Sequence, residues 1–388
     1  MDTSDTVLEA TDRFREDHAA IAYDSEENRF FAGKRIVVTG AAGTVGAELV
    51  RQLLRMPVAE VRGLDNHETG LFLLSESLKH DKRFQPFICD VRSGTKLGQF
   101  FKSMDYCFHT AALKHVPSSE RSPFEAVETN INGVQNVLQA AMDCDLKRML
   151  FTSSDKAVNP TNVMGTTKLM GERLVTAANA IQGENCVFTS TRFGNVAGSA
   201  GSMVPLFCQQ IMLGGPVTLT DPQMTRFIMT LSEAVRLVIA SIRLARGGEV
   251  FVAKMPVVRI KDVVEVLVDL VAPLFGRNPG KIEIHEVGPR PGEKLYEELT
   301  NDEEVRRTVE LDRFFAVLPA FRNIYDRISY EYPNAVETSA SKVYNSALEA
   351  PMGKAWIRQF LLKPQVLPEA VAGLLATLES TQHERGAA

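Results

Sequence analysis

The run Ser153-Ser154-Asp155-Lys156 sets a hydroxyl, a carboxylate and an ammonium side by side, and a further cationic group, Lys168, follows twelve residues after Lys156. An adjacent acid and base can hand protons to and from a reacting group, which is the requirement of general acid–base catalysis. A solvated Asp-Lys pair on a surface reads the same way, so the pair alone leaves both meanings open. Upstream, Thr39-Gly40-Ala41-Ala42-Gly43-Thr44-Val45-Gly46 spaces its glycines as G-x-x-G-x-x-G. Glycines let a chain turn tightly and approach a pyrophosphate, and a helix opening at Thr44 and Val45 favours that charge at its N-terminus.

Asp65 lies nineteen residues beyond Gly46, at the end of the next strand-like run. A carboxylate there accepts hydrogen bonds from both hydroxyls of an adenosine ribose, whereas a 2′-phosphate would meet it as a like charge. Asn66 and His67 follow it rather than an arginine. The cofactor expected is therefore NAD. Asp90 with Val91, and Ala111 with Ala112, end the third and fourth strand-like runs and complete the expected cofactor-binding set. Asp90 itself reads either as a solvated strand end or as a partner for the adenine amino group.

A sheet whose strand ends converge would position all of these groups. From Lys34 onward strand-like runs alternate with helix-length segments: RIVVTG (35–40), VAEVRGLD (58–65), FQPFICD (84–90), YCFHTAA (106–112), RMLFTSS (148–154) and CVFTSTRF (186–193). The runs carry few polar residues, as in strands covered by helices on both faces. Intervening segments such as VGAELVRQLLRM place apolar residues three and four apart, the spacing of a helix with one buried face. The expected fold is α/β: a doubly wound parallel Rossmann sheet with a smaller C-terminal substrate-binding lobe. The division expected is an N-terminal extension (1–33), an NAD-binding domain with the catalytic segment (34–196), a nucleotide-sugar-binding lobe (197–330) where Gly and Pro cluster, and a helical tail (331–388).

The chain has 388 residues, 45% hydrophobic and 23% charged, enough to bury a large core. A net charge of −5 without clustered Lys and Arg speaks against nucleic acid or an anionic membrane surface as a partner. No apolar run reaches the ~18 residues of a membrane span, and the N-terminus lacks a signal pattern, so the expected location is cytoplasmic. Cys89, Cys107, Cys144, Cys186 and Cys208 show no paired spacing, which points to reduced, buried thiols rather than zinc or disulfides. No metal site is expected, and His109, alone in an apolar strand, reads as structural.

In short-chain dehydrogenases the segment after the fifth strand carries Ser or Thr, here Ser154, and then Tyr-x-x-x-Lys on a helix. This chain keeps Lys168 but has Met164 at the tyrosine position. The blocks SSDKAVNPTNVMGTTK, FHTAALKHVP (108–117), RFGNVAGSAGSMVPLF (192–207), DPQMTRFIMT (221–230) and RPGEKLYEEL (290–299) together resemble the polysaccharide-biosynthesis nucleotide-sugar 4,6-dehydratases, over roughly residues 34–300. The larger members carry membrane helices ahead of a catalytic part, and this chain looks like that part alone.

The resemblance implies a UDP-N-acetylglucosamine substrate and 4,6-dehydration. Oxidation at C4 makes the C5 proton acidic and the C6 hydroxyl a β leaving group, and NAD carries the hydride from C4 to C6. On this basis Asp155 is the acid at O6, Lys156 moves the proton at C5, and Lys168 holds the nicotinamide ribose. A thioether cannot replace a phenol as a proton carrier. Within the family, methionine at this position accompanies retention at C5, so Met164 implies retention, with Asp155 or a water relaying the O4 proton. Lys114, His115, Asn195, Arg226, Arg290 and Glu293 are the expected contacts of the UDP-sugar, the two arginines at the diphosphate. A 4-epimerase or a catalytically silent nucleotide-sugar-binding subunit are the competing readings. A homo-oligomer, a dimer or higher, is expected; segments 122–143 and 161–181 could pair subunits, although their apolar faces read the same if buried within one chain.

Overall fold

The computed structural model describes residues 23–182, 186–199, 201–289, 292–325, 327–332, 335–337, 340 and 342–386. The chain divides into two compact units. Unit 1 comprises Met1–Phe193, Val235–Lys254 and Glu298–Tyr344; unit 2 comprises Gly194–Ala234, Met255–Glu297 and Asn345–Ala388.

Unit 1 is built on a ten-stranded sheet. All six strand-like runs of the first half form strands: β1 (Arg35–Thr39), β2 (Glu60–Asp65), β3 (Phe84–Ile88), β4 (Tyr106–His109), β5 (Arg148–Thr152) and β6 (Val187–Arg192). They lie parallel in the order β3-β2-β1-β4-β5-β6. β4 is buried along its whole length, as are all but the first residues of β1 and β5. β3, at the edge, leaves Ile88 exposed. Beyond β6 the sheet continues with Val250–Ala253, parallel, and then with Phe314–Val317, Thr308–Leu311 and Ala335–Glu337, each antiparallel to its neighbour. Residues 235–254 and 298–344 thus return to the unit of the ten-stranded sheet from the second half of the chain.

Helix faces supply the core. Thr44–Leu54 buries Leu49, Val50 and Leu53, and Gly133–Asp143 buries Val134, Val137, Leu138 and Ala141. One cluster joins the residues of the second helix to Val37, Leu64, Cys107, Met149, Phe151 and Phe188 from the strands. The thiols are free, and four of the five are buried. Ahead of the sheet, the short helix Ser25–Phe31 is closed by a capping box between Asp24 and Glu27, and Phe30 and Phe31 pack on the ring of Tyr106. Tyr23 donates to Gln52 at 2.6 Å. The end of the N-terminal extension is therefore part of the nucleotide-binding unit.

Unit 2 holds two small sheets. Val257–Arg259, Thr225–Met229 and Asn195–Val196 form one in that order, and Ile284–Glu286 pairs with Val217–Leu219 in the other. Its helices include Met203–Leu213, Ile260–Val271 and Lys354–Leu361. Among the described residues no helix is long and apolar enough to cross a membrane.

Candidate active site

β1 pairs with β2 on one side and β4 on the other, so the strand order reverses there and opens a crevice at the carboxyl ends. The glycine loop sits at that point. Gly40 has φ +71°, and a Cβ on it would stand 2.5 Å from the Ala111 nitrogen. A Cβ on Gly46 would overlap the Gly40 carbonyl oxygen. Both positions admit only glycine because neighbouring backbone fills the space. The first backbone bond of the following helix runs from Ala47 to Gly43 at 2.9 Å, so the N–H groups of Thr44, Val45 and Gly46 stand at its open end.

Asp65, at the end of β2, accepts from Ala42 N at 2.8 Å with one oxygen and from His67 N at 2.9 Å with the other. It is more than a strand end: it ties the glycine loop to β2 and keeps a carboxylate at the rim. Asp90 is gripped by Arg92 at 2.6 Å, receives Asn66 at 3.3 Å, and is drawn down to about pKa 2 by the guanidinium hydrogen bonds. Arg92 in turn reaches Glu125 at 2.8 Å. Arg92 was not singled out in the sequence, although its spacing two residues from Asp90 allows this chelate.

The catalytic segment follows β5. Ser154 caps a single 3-10 turn, Asp155–Ala157, and its hydroxyl donates to Asp155 at 2.7 Å. Asp155 is buried and pairs with Lys156 at 2.9 Å, while the Lys156 side chain stays one-third exposed. This is not a solvated surface pair, because the carboxylate is out of water. The helix Val163–Gln182 then carries Met164 and Lys168 four residues apart on one face, both buried. Lys168 donates to the Thr152 carbonyl at 2.9 Å and lies 4.7 Å from the centre of the Phe151 ring. Burial lowers its pKa to about 8, against the opposing pull of Glu172. A Cβ on Gly165 would overlap the Lys156 carbonyl oxygen, so this helix and the Asp155–Lys156 turn touch through a glycine.

His109 is wholly buried, shares a 2.6 Å hydrogen bond with Thr39 and stacks near Phe151. Burial first, and the Lys168 charge second, depress its pKa to about 3, so it is neutral. Asn130, which drew no attention in the sequence, sits in a π-helical turn, Glu128–Asn132. Its carboxamide accepts from Leu113 N at 2.8 Å and donates to Leu113 O at 2.9 Å and to Thr167 at 3.0 Å. That clamp fixes the segment bearing Ala111, Ala112, Lys114 and His115 against the catalytic helix. A buried asparagine ahead of a helix is the only signal the sequence offered.

Of the other expected contacts, Asn195, Arg226 and Glu293 belong to unit 2, and Arg290 lies outside the described residues. Asn195 donates to Glu297 at 2.8 Å and to the Phe227 carbonyl at 3.1 Å. Arg226 donates to the carbonyls of Thr225, Leu295 and Lys294, with Glu297 at 3.3 Å and Glu293 at 3.8 Å. Its guanidinium therefore braces the 293–297 segment, and a phosphate would compete with these acceptors. Glu297, buried at the centre of this group, was also missed; in sequence it is one of two adjacent glutamates, Glu297 and Glu298.

The glycine cradle and the Asp65 carboxylate fit a dinucleotide, and Asp155, Lys156 and Lys168 are groups chemically able to carry protons. The chain is similar to several known proteins. The chain is 50% identical over 293 residues to an uncharacterized membrane protein of Methanocaldococcus jannaschii, covering 75% of this chain and 88% of that one. It is 35% identical to the inverting UDP-N-acetylglucosamine 4,6-dehydratase of Campylobacter jejuni, over 81% of this chain and 91% of the relative. It is also 35% identical to a UDP-glucose 4-epimerase of Rickettsia akari, over 74% and 83% respectively. Among solved structures, Pen from Bacillus thuringiensis superposes with a TM-score of 0.80 at 38% identity, covering 87% of this chain and all of that one. The model of the polysaccharide biosynthesis protein family matches residues 36–319, and the chain belongs to that family.

Proposed function

We propose that the protein is an NAD-dependent 4,6-dehydratase of UDP-N-acetylglucosamine that retains the configuration at C5 and serves surface glycan synthesis. The observation that carries the reading is the buried Asp155 paired with Lys156 on the turn after β5, beside a helix that presents Met164 and Lys168. An epimerase has no need of an acid and a base for elimination across C5 and C6.

NAD would be held by the loop at Gly40, Gly43 and Gly46, by Asp65, and by Lys168, and supplies the hydride acceptor and donor for the reaction. Lys168, close to the nicotinamide ribose, stabilises negative charge developing on a sugar oxygen. Asp155, kept out of water and accepting from Ser154 and Lys156, takes up the O4 proton released as C4 is oxidised and then delivers it to the C6 hydroxyl as it leaves. Protonation of Asp155 releases the Lys156 ammonium, which loses its proton to water and, as the free amine, takes the C5 proton and returns it to C5 when the hydride reaches C6. Retention rests on Met164, which leaves the tyrosine position without a proton carrier. Lys114, His115, Asn195, Arg226, Arg290 and Glu293 are the proposed contacts of the nucleotide sugar.

Incubation with UDP-N-acetylglucosamine and NAD in deuterated water tests this. The expected product has lost water, carries deuterium at C5 and keeps the gluco configuration there by NMR. The galacto isomer without loss of water would establish a 4-epimerase instead, as in the Rickettsia relative's name. Substrate returned unchanged would reject both enzymatic readings. Asp155→Asn is expected to abolish dehydration while NAD still binds.

A further inference from the structure

Arg192, at the end of β6, is fully buried, and so are the two carboxylates it meets. Its Nε and Nη2 donate to Glu172 at 2.7 and 2.6 Å. Its Nη1 and Nη2 donate to Glu304 at 2.8 Å each, and Nη1 also donates to the Leu299 carbonyl at 3.1 Å. All five guanidinium donors are thereby used, which is what a buried arginine requires. The arrangement joins β6, the helix Val163–Gln182 and the short helix Asp302–Val305, all within unit 1.

The triad carries one positive and two negative charges. Glu304 has a second cation, Arg307, at 3.9 Å, whereas Glu172 follows Lys168 by four residues on the same helix, so its carboxylate stands beside that ammonium. Among the described groups near Lys168, His109, from β4, is neutral, Phe151, from β5, offers a ring, and the carboxylate of Asp155, on the turn after β5, is paired with Lys156.

The geometry points to Glu172 as a positioning residue for catalysis: clamped by Arg192, which Glu304 holds from its other side, it carries the negative charge that keeps the buried Lys168 ammonium protonated. Arg192 prevents the Glu172 carboxylate from swinging onto Lys168 and closing it off, and Glu304 takes up the part of the Arg192 charge that would otherwise cancel Glu172. The direction of the Lys168 shift agrees, since burial lowers it and Glu172 opposes the fall. The inference rests on the dehydratase reading only in giving Lys168 a part in turnover; the tuning of its proton is a property of the chain.

The test compares Glu172→Gln, Glu304→Gln and Glu172→Asp in the full-length protein. Each Gln variant removes one carboxylate from the same ion-pair network, but only Glu172→Gln removes the charge beside Lys168. The direct readout is the pH titration of the Lys168 ε-carbon by NMR in lysine-labelled protein, assigned with Lys168→Arg. In Glu172→Gln the midpoint is expected to fall by about one pH unit, and the alkaline limb of kcat/KM to move with it. At pH 8 turnover would drop roughly fivefold and at pH 6.5 stay within about twofold. Glu304→Gln is expected to lower the melting temperature comparably with a midpoint near that of the wild type, and Glu172→Asp, which keeps the charge, to titrate like the wild type. Equal midpoints in all three variants, or equal shifts in the two Gln variants, would overturn the proposal. If Glu172→Gln does not fold, a lowered midpoint in Glu172→Asp would do the same. A wild type that forms no dehydrated sugar defeats the dehydratase reading, while the NMR titration still judges Glu172.

Discussion

Substituting Gly165 by alanine separates catalytic geometry from folding. The added methyl would fall inside contact distance of the Lys156 carbonyl oxygen by about 1 Å, so the turn carrying Asp155 and Lys156 must part from the helix carrying Met164 and Lys168 by that amount. Overpacking of this kind costs about 1–3 kcal/mol, of which about 1 kcal/mol is recovered because alanine favours the helix over glycine. The net loss of stability is therefore small, about 0–2 kcal/mol. Displacing a catalytic group by about 1 Å costs on the order of a hundredfold in rate, or about 2.7 kcal/mol of barrier. The assay is turnover of UDP-N-acetylglucosamine alongside NAD binding by calorimetry and thermal melting. Turnover is expected to fall about a hundredfold while NAD affinity falls far less, since of the groups proposed to hold NAD only Lys168 lies on the displaced helix. Gly98→Ala, a helical glycine with open space around its Cβ position, serves as the control and should leave all three quantities intact. Turnover within about twofold of wild type, with an undiminished melting temperature, would show that the contact between turn and helix does not set the catalytic spacing.

Asp65→Ala removes an acceptor from the ribose and also frees Ala42 N and His67 N, so NAD affinity should fall about 10–100-fold by calorimetry; an unchanged affinity would reject its place at the cofactor. Arg192→Met leaves Glu172 and Glu304 buried without their partner, and chemical denaturation should show a loss of about 3–5 kcal/mol. A loss under about 1 kcal/mol would mean the carboxylates find water. His109 predicts a pH effect on stability. Its folded pKa of about 3 lies below its ordinary value of 6.5, so the unfolded chain binds more protons between those limits, and stability falls as pH drops from 6.5 toward 3. In His109→Gln that part of the acid sensitivity should vanish from denaturation curves taken at pH 7 and 4; identical curves would contradict a neutral buried imidazole.

Local pattern alone determined the six strands of the first half, the glycine loop and the carboxylate that follows it. Strands buried on both faces are written as apolar runs, and a helix with one buried face repeats its apolar residues every three to four positions, so both are legible without knowing what they pack against. The residues of the catalytic segment were legible for the same reason, being close together in the chain. Tertiary structure decided what is distant in sequence. Only the folded chain shows that Asp155 is buried, which sets it apart from a solvated surface pair and supports the proton-transfer role proposed for it. Only the fold returns residues 298–344 to the sheet and so brings Glu304 to Arg192 across more than a hundred residues, a pairing that charge alone cannot choose among 48 acidic side chains. Asn130 and Glu297 were hidden likewise, because a polar residue declares its role only through the groups it meets when water is removed. Arg226, chosen for the chemistry of its guanidinium, is seen in the structure to spend its donors on nearby carbonyls and carboxylates. Residue type sets what a side chain can do, and burial and partners decide which of those things it does.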